Sequence, residues 1–172
     1  CGSYRARRAD VPDEPREIAY ASGAGVLLRA EALAEAGGMD EALFLYHEDL
    51  DLGLRLRLAG WRARLAPRSV VWHHYAFSKT RSKWFFLERN RYLVVAKLLR
   101  PRSLFVLAPF LAAAELALLG VAAAGGWLGE KVRADAALLS RELRAHVASA
   151  RPRVQATRRI SDRELARWFT PA

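Results

Sequence analysis

Residues 46–61 read YHEDLDLGLRLRLAGW and decide what fold to expect of this chain. Leucines alternate at positions 50, 52, 54, 56 and 58, which on pattern alone favours a half-buried strand. No β-branched or aromatic residue lies between those leucines, however, and Leu, Arg and Glu all favour helices. Gly60 stands where a helix needs a left-handed residue to end. We therefore predict a helix of about three turns that is buried on two sides.

The charged side chains of this predicted helix have two interpretations. Glu48, Asp51 and Arg55 share one side, where Asp51 and Arg55 can form an ion pair. Asp49 projects elsewhere, at the start of the helix and beside Gly53, which leaves room for a ligand. In the structural interpretation Asp49 is an N-terminal cap. In the functional one, a carboxylate close to arginines is a general base beside an anionic substrate.

The flanking segments carry a resemblance to a known family. A run of small residues at 21–25 and a Gly-Gly-Met-Asp-Glu series at 37–41 precede the charged helix. A Gly-Trp pair and a short segment that ends at His73 follow it. In this order and spacing, residues 22–97 resemble the C-terminal half of the catalytic domain of family 2 glycosyltransferases. The rhamnosyltransferase-like and galactofuranosyltransferase-like branches look most similar.

The resemblance implies an α/β fold, the C-terminal half of a GT-A nucleotide-diphospho-sugar transferase domain, with strands at the small-residue run and just before His73. It implies an inverting enzyme that moves a sugar from a nucleotide-diphosphate sugar to a hydroxyl of a glycan or lipid-linked glycan, in cell-envelope polysaccharide synthesis. Asp49 matches the general base, which takes the proton of that hydroxyl. The resemblance places Glu48, Gly23 and Ala24 on the acceptor side. It implies that Asp51 and Arg55 support the base.

The same resemblance implies a divalent metal, Mg²⁺ or Mn²⁺. In relatives a histidine after the strand completes a metal site that an Asp-x-Asp pair begins. His73 matches that histidine, and His74 is the competing candidate. Without the resemblance, a histidine pair in this position is more often structural or solvent-facing than metal-binding, although imidazole suits transition metals such as manganese.

The Asp-x-Asp pair of the family has no free counterpart in this sequence, because Asp49-Leu50-Asp51 already belongs to the base helix. We therefore expect a fragment of a longer enzyme, which carries the acceptor side but lacks the donor-binding half and does not turn over alone. Three regions are predicted: a partial catalytic domain at 1–99, an apolar membrane-associated helix or helical hairpin at 100–130, and a basic amphipathic helical tail at 131–172.

The net charge of +10 is distributed unevenly along the chain. Residues 1–54 hold 5 basic and 11 acidic side chains, whereas residues 55–102 hold 13 basic and 1 acidic. This change of sign predicts a carboxylate site followed by a face that meets phosphates. Residues 79–93 mix basic and aromatic side chains but offer no repeated stacking platform. We therefore favour a lipid surface or lipid diphosphate and predict no nucleic-acid partner. The single cysteine is consistent with a reducing cytoplasm.

Residues 103–128 form an apolar stretch with one charge, Glu115. The stretch is long enough to span a bilayer, although a carboxylate near its middle costs roughly 2.5–3.5 kcal/mol on insertion scales. A single span, a re-entrant pair broken near Gly125-Gly126 and a helix packed on the domain all remain open. We favour membrane embedding, with the protein on the cytoplasmic face of the cell membrane.

The C-terminal part is basic and predicted to be helical. Apolar positions in residues 131–150 predict an amphipathic helix that ends at Pro152, and Ser161 to Glu164 form a capping box that starts a short helix. This tail either lies on an anionic leaflet or folds back on the catalytic domain. An alternative to the enzyme is a non-catalytic membrane-surface adaptor that binds anionic lipid through its basic segments.

Overall fold

A computed structural model describes residues 13–72 and 82–169. Their contacts divide them into two units, which are described separately. The first unit contains residues 13–40, 48–72 and 157–169, and the second contains residues 41–47 and 82–156. The described residues are mostly helical, with one two-stranded sheet. The boundaries predicted near residues 99 and 130 stay a prediction.

The first unit is built from short elements. They are β1 (Arg16–Ile18), α1 (Ala30–Ala36), α2 (Glu48–Leu58), β2 (Ala63–Leu65) and α7 (Asp162–Ala166). The second unit begins with a 3₁₀ turn at Glu41–Leu43 and continues with longer helices. These are α3 (Ser82–Leu98), α4 (Pro101–Ala124), α5 (Leu128–Ala137) and α6 (Arg141–Ala156).

The helix predicted from residues 46–61 is confirmed as α2. Gly60 adopts a φ of 86° just past its end, and the amide of Trp61 donates to the carbonyl of Leu56 at 3.0 Å. This left-handed ending explains why a glycine stands there. Leu52 and Leu58 are buried on different faces of α2. The alternating leucines therefore reflect burial on two sides and not a strand.

The two strands that the resemblance placed at the small-residue run and before His73 are wrong for the described residues. Residues 21–29 before α1 form a turn and loop, and residues 70–72 lie in no strand. The sheet instead pairs β1 with β2 in antiparallel register, with Arg16 opposite Leu65. A strand needs a partner for its backbone groups, and the described residues provide none beside either predicted strand.

The last described segment folds back on the first unit. The amide of Arg159 donates to the carbonyl of Leu58 at 2.7 Å, so the segment is hydrogen-bonded to the end of α2. The Arg57 guanidinium lies 3.8 Å from the centre of the Trp168 ring. Ser161 forms the predicted capping box with α7. Of the two interpretations of the tail, folding back on the catalytic domain is confirmed for residues 157–169.

The single helix predicted for residues 131–150 is wrong, because the structure has two helices there, α5 and α6, with a turn between them. The Ser140 hydroxyl accepts a hydrogen bond from the amide of Leu143, which starts a new helix. The predicted end at Pro152 is wrong as well, since α6 runs on to Ala156. Its last turns are held by Gln155, whose amide donates to two carbonyls at the end of α3, and by Arg151.

The apolar stretch forms one continuous helix, α4, which contains Pro109 and ends before Gly125. Gly126 has a φ of 72°, and the charged helix α5 begins two residues later. By length and composition alone α4 could cross a membrane, and it is the one helix among the described residues with that property. Most of its side chains are exposed. Membrane embedding itself stays a prediction.

Candidate functional site

Asp49 lies in the first turn of α2, against the turn formed by residues 22–25. Its Oδ2 accepts a hydrogen bond from the Gly23 amide at 3.0 Å, and its Oδ1 accepts one from the Leu50 amide at 2.7 Å. The side chain is half-buried, and within the described residues no arginine pairs with it. The carboxylate is thus oriented by backbone donors.

Gly23 and Ala24, predicted on the acceptor side, lie on the exposed surface of this turn. The Gly25 amide closes the turn by donating to the carbonyl of Ser22 at 3.2 Å. The Ser22 hydroxyl accepts from the Ala24 amide at 3.3 Å. A Cβ added at Gly23 would lie 3.4 Å from the Asp49 Cβ, which is ordinary contact. The turn therefore brings exposed backbone beside the carboxylate.

Tyr20 is a site residue that the sequence did not indicate. It packs against Gly53, where an added Cβ would lie 2.4 Å from the Tyr20 Cβ. The prediction that Gly53 leaves room for a ligand is therefore wrong, because Tyr20 occupies that room. Burial and the nearby charge of Asp49 raise the pKa of the Tyr20 hydroxyl. Tyr20 stays a neutral hydrogen-bonding group beside the carboxylate.

Glu48 is half-buried at the start of α2. One of its carboxylate oxygens, Oε2, is buried and has no hydrogen-bond partner among the described residues. A buried carboxylate oxygen is normally hydrogen-bonded, so an unmatched one calls for a donor such as water or a hydroxyl group. This is consistent with the predicted role of Glu48 on the acceptor side.

Asp51 and Arg55 form the predicted ion pair, with Arg55 Nε 2.8 Å from Asp51 Oδ2. Both side chains are buried. The guanidinium also donates to the carbonyls of Ala36 and Gly38, at the end of α1. The pair therefore joins α2 to the end of α1, which keeps the base helix in a fixed position. Its support of the base remains a prediction.

The second unit contains a strained loop directly before Glu48 in the chain. Phe44, Tyr46 and His47 have φ values of 56°, 66° and 66°, in the left-handed region that non-glycine residues rarely adopt. Such strain persists only where the surroundings enforce it. The sequence gives no sign of this loop, since none of the three residues is a glycine or asparagine.

Asn90 in α3 holds this loop and is fully buried. Its amide nitrogen donates to three carbonyls, those of Leu43, Leu45 and Tyr46, at 2.7–2.8 Å. Arg89 fixes the Asn90 oxygen through Nε and Nη2 and donates to the Ala42 carbonyl. The sequence predicts only that residues 79–93, which include Arg89 and Asn90, form a basic and aromatic segment at a lipid surface, and it gives no sign of this role.

The predicted metal ligand His73, with its competitor His74, lies outside the described residues. Within the described ranges, no group of three or more His, Cys, Asp or Glu side chains could hold a metal ion. The oxygens of Asp49 already accept backbone hydrogen bonds. The described residues therefore do not form a metal site by themselves.

An open cleft of about 490 Å³ lies at the other end of α2. Its walls include Arg57, Trp61, Arg62 and Trp168. An 11-residue helix is roughly 15 Å long, so the cleft is separate from Asp49. Trp61 donates to Glu35 at 2.7 Å, and Arg159 pairs with the same carboxylate. The cleft is thus a product of the fold-back segment.

The family described as "Glycosyltransferase like family 2" matches residues 5–92, half of the chain. The chain therefore belongs to glycosyltransferase family 2, and the resemblance found in the sequence is confirmed. No solved structure matches it.

The relatives it is similar to are rhamnosyltransferases. N-acetylglucosaminyl-diphospho-decaprenol L-rhamnosyltransferase, from two strains of Mycobacterium tuberculosis, is 40% identical over 79 residues, which is 46% of this chain and 25% of the relative. Rhamnosyltransferase WbbL of Escherichia coli strain K12 is 33% identical over 94 residues, which is 50% of this chain and 34% of the relative. The chain thus spans a quarter to a third of the length of these relatives.

Proposed function

We propose that this chain provides the acceptor side and the general base of an inverting hexosyltransferase. The donor is a nucleotide-diphosphate sugar, and the acceptor is a hydroxyl of a glycan or lipid-linked glycan in cell-envelope polysaccharide synthesis. The similarity to rhamnosyltransferases, one of which acts on a diphospho-decaprenol acceptor by its name, supports rhamnose as the transferred sugar and a polyprenyl diphosphate as the acceptor's lipid. The single observation that carries the proposal is the half-buried, oriented carboxylate of Asp49.

The proposed chemistry is one displacement with one base. The acceptor hydroxyl approaches an Asp49 oxygen, since each carboxylate oxygen still has a lone pair after accepting one backbone hydrogen bond. As the acceptor oxygen bonds to the anomeric carbon, its proton passes to Asp49 and the bond to the nucleotide diphosphate breaks. Attack from the opposite face inverts the anomeric configuration.

The neighbours of Asp49 position the acceptor in this proposal. The Gly23 amide restrains the carboxylate, so little reorientation is needed when the hydroxyl arrives. The Glu48 oxygen that has no partner among the described residues accepts a hydrogen bond from a second hydroxyl of the acceptor sugar. Donor-binding residues are not placed among the described ones, and they belong to other parts of the proposed enzyme.

A divalent cation is part of the proposal through family membership, with His73 as the candidate ligand. It would supply charge for the departing diphosphate. Treating the complete gene product with a chelator should abolish transfer, and adding Mn²⁺ or Mg²⁺ should restore it. Full activity after exhaustive chelation would refute this part.

The proposed location is the cytoplasmic face of the cell membrane. The exposed apolar side chains of α4 and the exposed arginines near it, among them Arg102 and Arg133, suit a surface of anionic lipid. A lipid-linked acceptor would be reached at the same surface. No nucleic-acid partner is proposed.

The test of the base is Asp49→Asn in the complete gene product. Removing a general base lowers turnover by about 10²–10⁴-fold, and binding of the donor should be nearly unchanged. Release of the nucleotide diphosphate measures turnover, and the anomeric configuration of the product, read by NMR, measures inversion. Glu31→Gln, an exposed carboxylate in the first turn of α1, is the matched control and should retain full rate. An Asp49→Asn variant with the normal rate would refute the assignment.

A further inference from the structure

The one acidic side chain of α4 is not alone. Glu115 Oε1 lies 2.5 Å from Arg91 Nη2 in α3, and its Oε2 lies 2.5 Å from Lys131 Nζ in α5. Arg91 also pairs with Glu88 at 2.8 Å, and Lys131 pairs with Asp135 at 2.6 Å. These five residues form what we call the Glu115 cluster. It joins three helices through charged groups.

Part of the Glu115 cluster is shielded from water. Lys131 is fully buried and Glu88 nearly so, whereas Arg91 is half-buried. Burial and a hydrogen bond that the Tyr92 hydroxyl donates to Glu115 raise the pKa of this hydroxyl to about 12. The pairs hold the pKa of Lys131 above its usual range as well, although burial acts in the opposite direction. If Glu115 moved away, the buried Lys131 ammonium would keep Asp135 but lose a carboxylate at 2.5 Å. Arg91 would keep Glu88 but lose its second partner. Loss of these pairs is unfavourable, which favours an α4 that stays where Glu115 can reach both cations.

The two faces of α4 differ in their surroundings, although both are apolar in sequence. Partly buried positions on the inner face lie beside Glu115, and they include Leu111, Leu118 and the buried Ala122. Large side chains on the outer face are exposed: Phe105 by 82%, Phe110 by 71% and Leu116 by 72%. An exposed apolar surface of this size marks an interaction with a membrane or another macromolecule.

The charges around α4 favour an anionic lipid surface as the partner. Arg100 and Arg102 are exposed at its start, and Arg133 is exposed on α5, which packs against α4. A helix of 24 residues is roughly 36 Å long, so it offers a long apolar strip with basic groups near it. Helices that lie in the headgroup region combine these two features.

We propose that α4 lies in the plane of the membrane interface, docked on α3 and α5 through the Glu115 cluster, and does not cross the bilayer. The inference rests on the proposed membrane association and specifies its geometry. The docked helix turns its outer face to the lipid and keeps every ion pair of the cluster.

Crossing and docking exclude each other for a physical reason. A crossing α4 would bring Glu115 into the hydrocarbon, where a charged group without a partner is costly. Keeping its partners would instead draw Arg91 and Lys131 into the hydrocarbon with the rest of their helices. Helices α3 and α5 carry charged residues along their lengths and cannot enter it. The geometry of the pairs therefore requires a helix that stays at the surface.

The experiment measures on which side of the membrane each end of α4 lies. The complete gene product is expressed in bacteria with its own cysteines, Cys1 included, replaced by serine. A single cysteine is then placed before or after the apolar part, as Arg102→Cys or Gly129→Cys. Right-side-out and inverted membrane vesicles are then treated with a membrane-impermeant maleimide. The docked helix predicts that both cysteines react at least tenfold more in inverted vesicles. Labelling from opposite sides would refute the inference and leave membrane association standing.

Absence of the chain from washed membranes would refute the membrane association and this inference together. A matched pair of variants tests the role of the cluster. Glu115→Leu removes the ion pairs and the charge, so one of the two cysteines should become reactive from the periplasmic side. Glu130→Gln breaks a pair with Arg133 outside the cluster and should change nothing. If Glu115→Leu leaves both cysteines on the cytoplasmic side, the cluster does not hold α4. The labelling of the unsubstituted helix decides the geometry even if that variant is unstable.

Discussion

Asn90→Ala is the sharpest test of how this structure holds the segment before the base. Asn90 donates to three carbonyls at 2.7–2.8 Å, and each net hydrogen bond contributes about 1 kcal/mol. The two N–H groups of the amide are shared among the three carbonyls, so their loss costs about 2 kcal/mol. Carbonyls left buried without a donor add about 1–2 kcal/mol, and relaxation of the left-handed residues returns about 1 kcal/mol. We expect the free energy of unfolding to fall by about 2–3 kcal/mol.

The assay is urea unfolding followed by far-ultraviolet circular dichroism, with Gln155→Ala as the control. Gln155 is also an amide that donates to two carbonyls, at 3.0 Å, but it is only half-buried. Its removal should cost about 1 kcal/mol. An Asn90→Ala loss no larger than the Gln155→Ala loss would contradict the account of the strained loop.

A second substitution tests the strain itself. Tyr46 has a φ of 66°, and glycine adopts that conformation without the penalty. If Asn90 enforces a strained backbone, Asn90→Ala and Tyr46→Gly should couple by about 0.5–1 kcal/mol, because both act on the same loop. Strict additivity would show that the left-handed residues are not held by Asn90.

Two further predictions concern α2, the helix that carries the proposed base. Arg55→Ala removes the buried ion pair with Asp51 and the hydrogen bonds to the end of α1, so the free energy of unfolding in urea should fall by about 3–5 kcal/mol. A fall of less than about 1 kcal/mol would count against the buried pair. Gly53→Ala places a methyl group 2.4 Å from the Tyr20 Cβ, so the free energy of unfolding should fall by about 1–3 kcal/mol. Gly129→Ala, whose methyl group meets no neighbour, should leave the free energy of unfolding nearly unchanged. Equal effects of the two glycine substitutions would refute the close packing of Tyr20.

Local signals in the sequence predicted several elements correctly. The helix α2, its left-handed end at Gly60 and the capping box of α7 each depend on residues within a few positions of one another. Such short-range rules can be applied without the fold. The ordered series of motifs also identified the family, although the strands that it implied were misplaced. Strand positions depend on a distant partner, as β2 is for β1.

Features that depend on distant partners could not be predicted. Asn90 contacts residues 43–46, more than forty positions earlier, and the residues around Asn90 in the sequence do not indicate those carbonyls. Tyr20 fills the space beside Gly53, where the sequence suggested room for a ligand. In both cases the spacing of residue types does not predict the contact, because the two segments that make it come together only in the folded structure.

The sequence by itself determined the family, the helix α2 and the presence of one long apolar helix with a single carboxylate. The tertiary structure alone decided what that carboxylate does, since Arg91 and Lys131 reach Glu115 from two other helices. It also decided that residues 157–169 return to the first unit. Helix formation follows from neighbours along the chain, whereas the pairing of buried charges follows from which helices pack together.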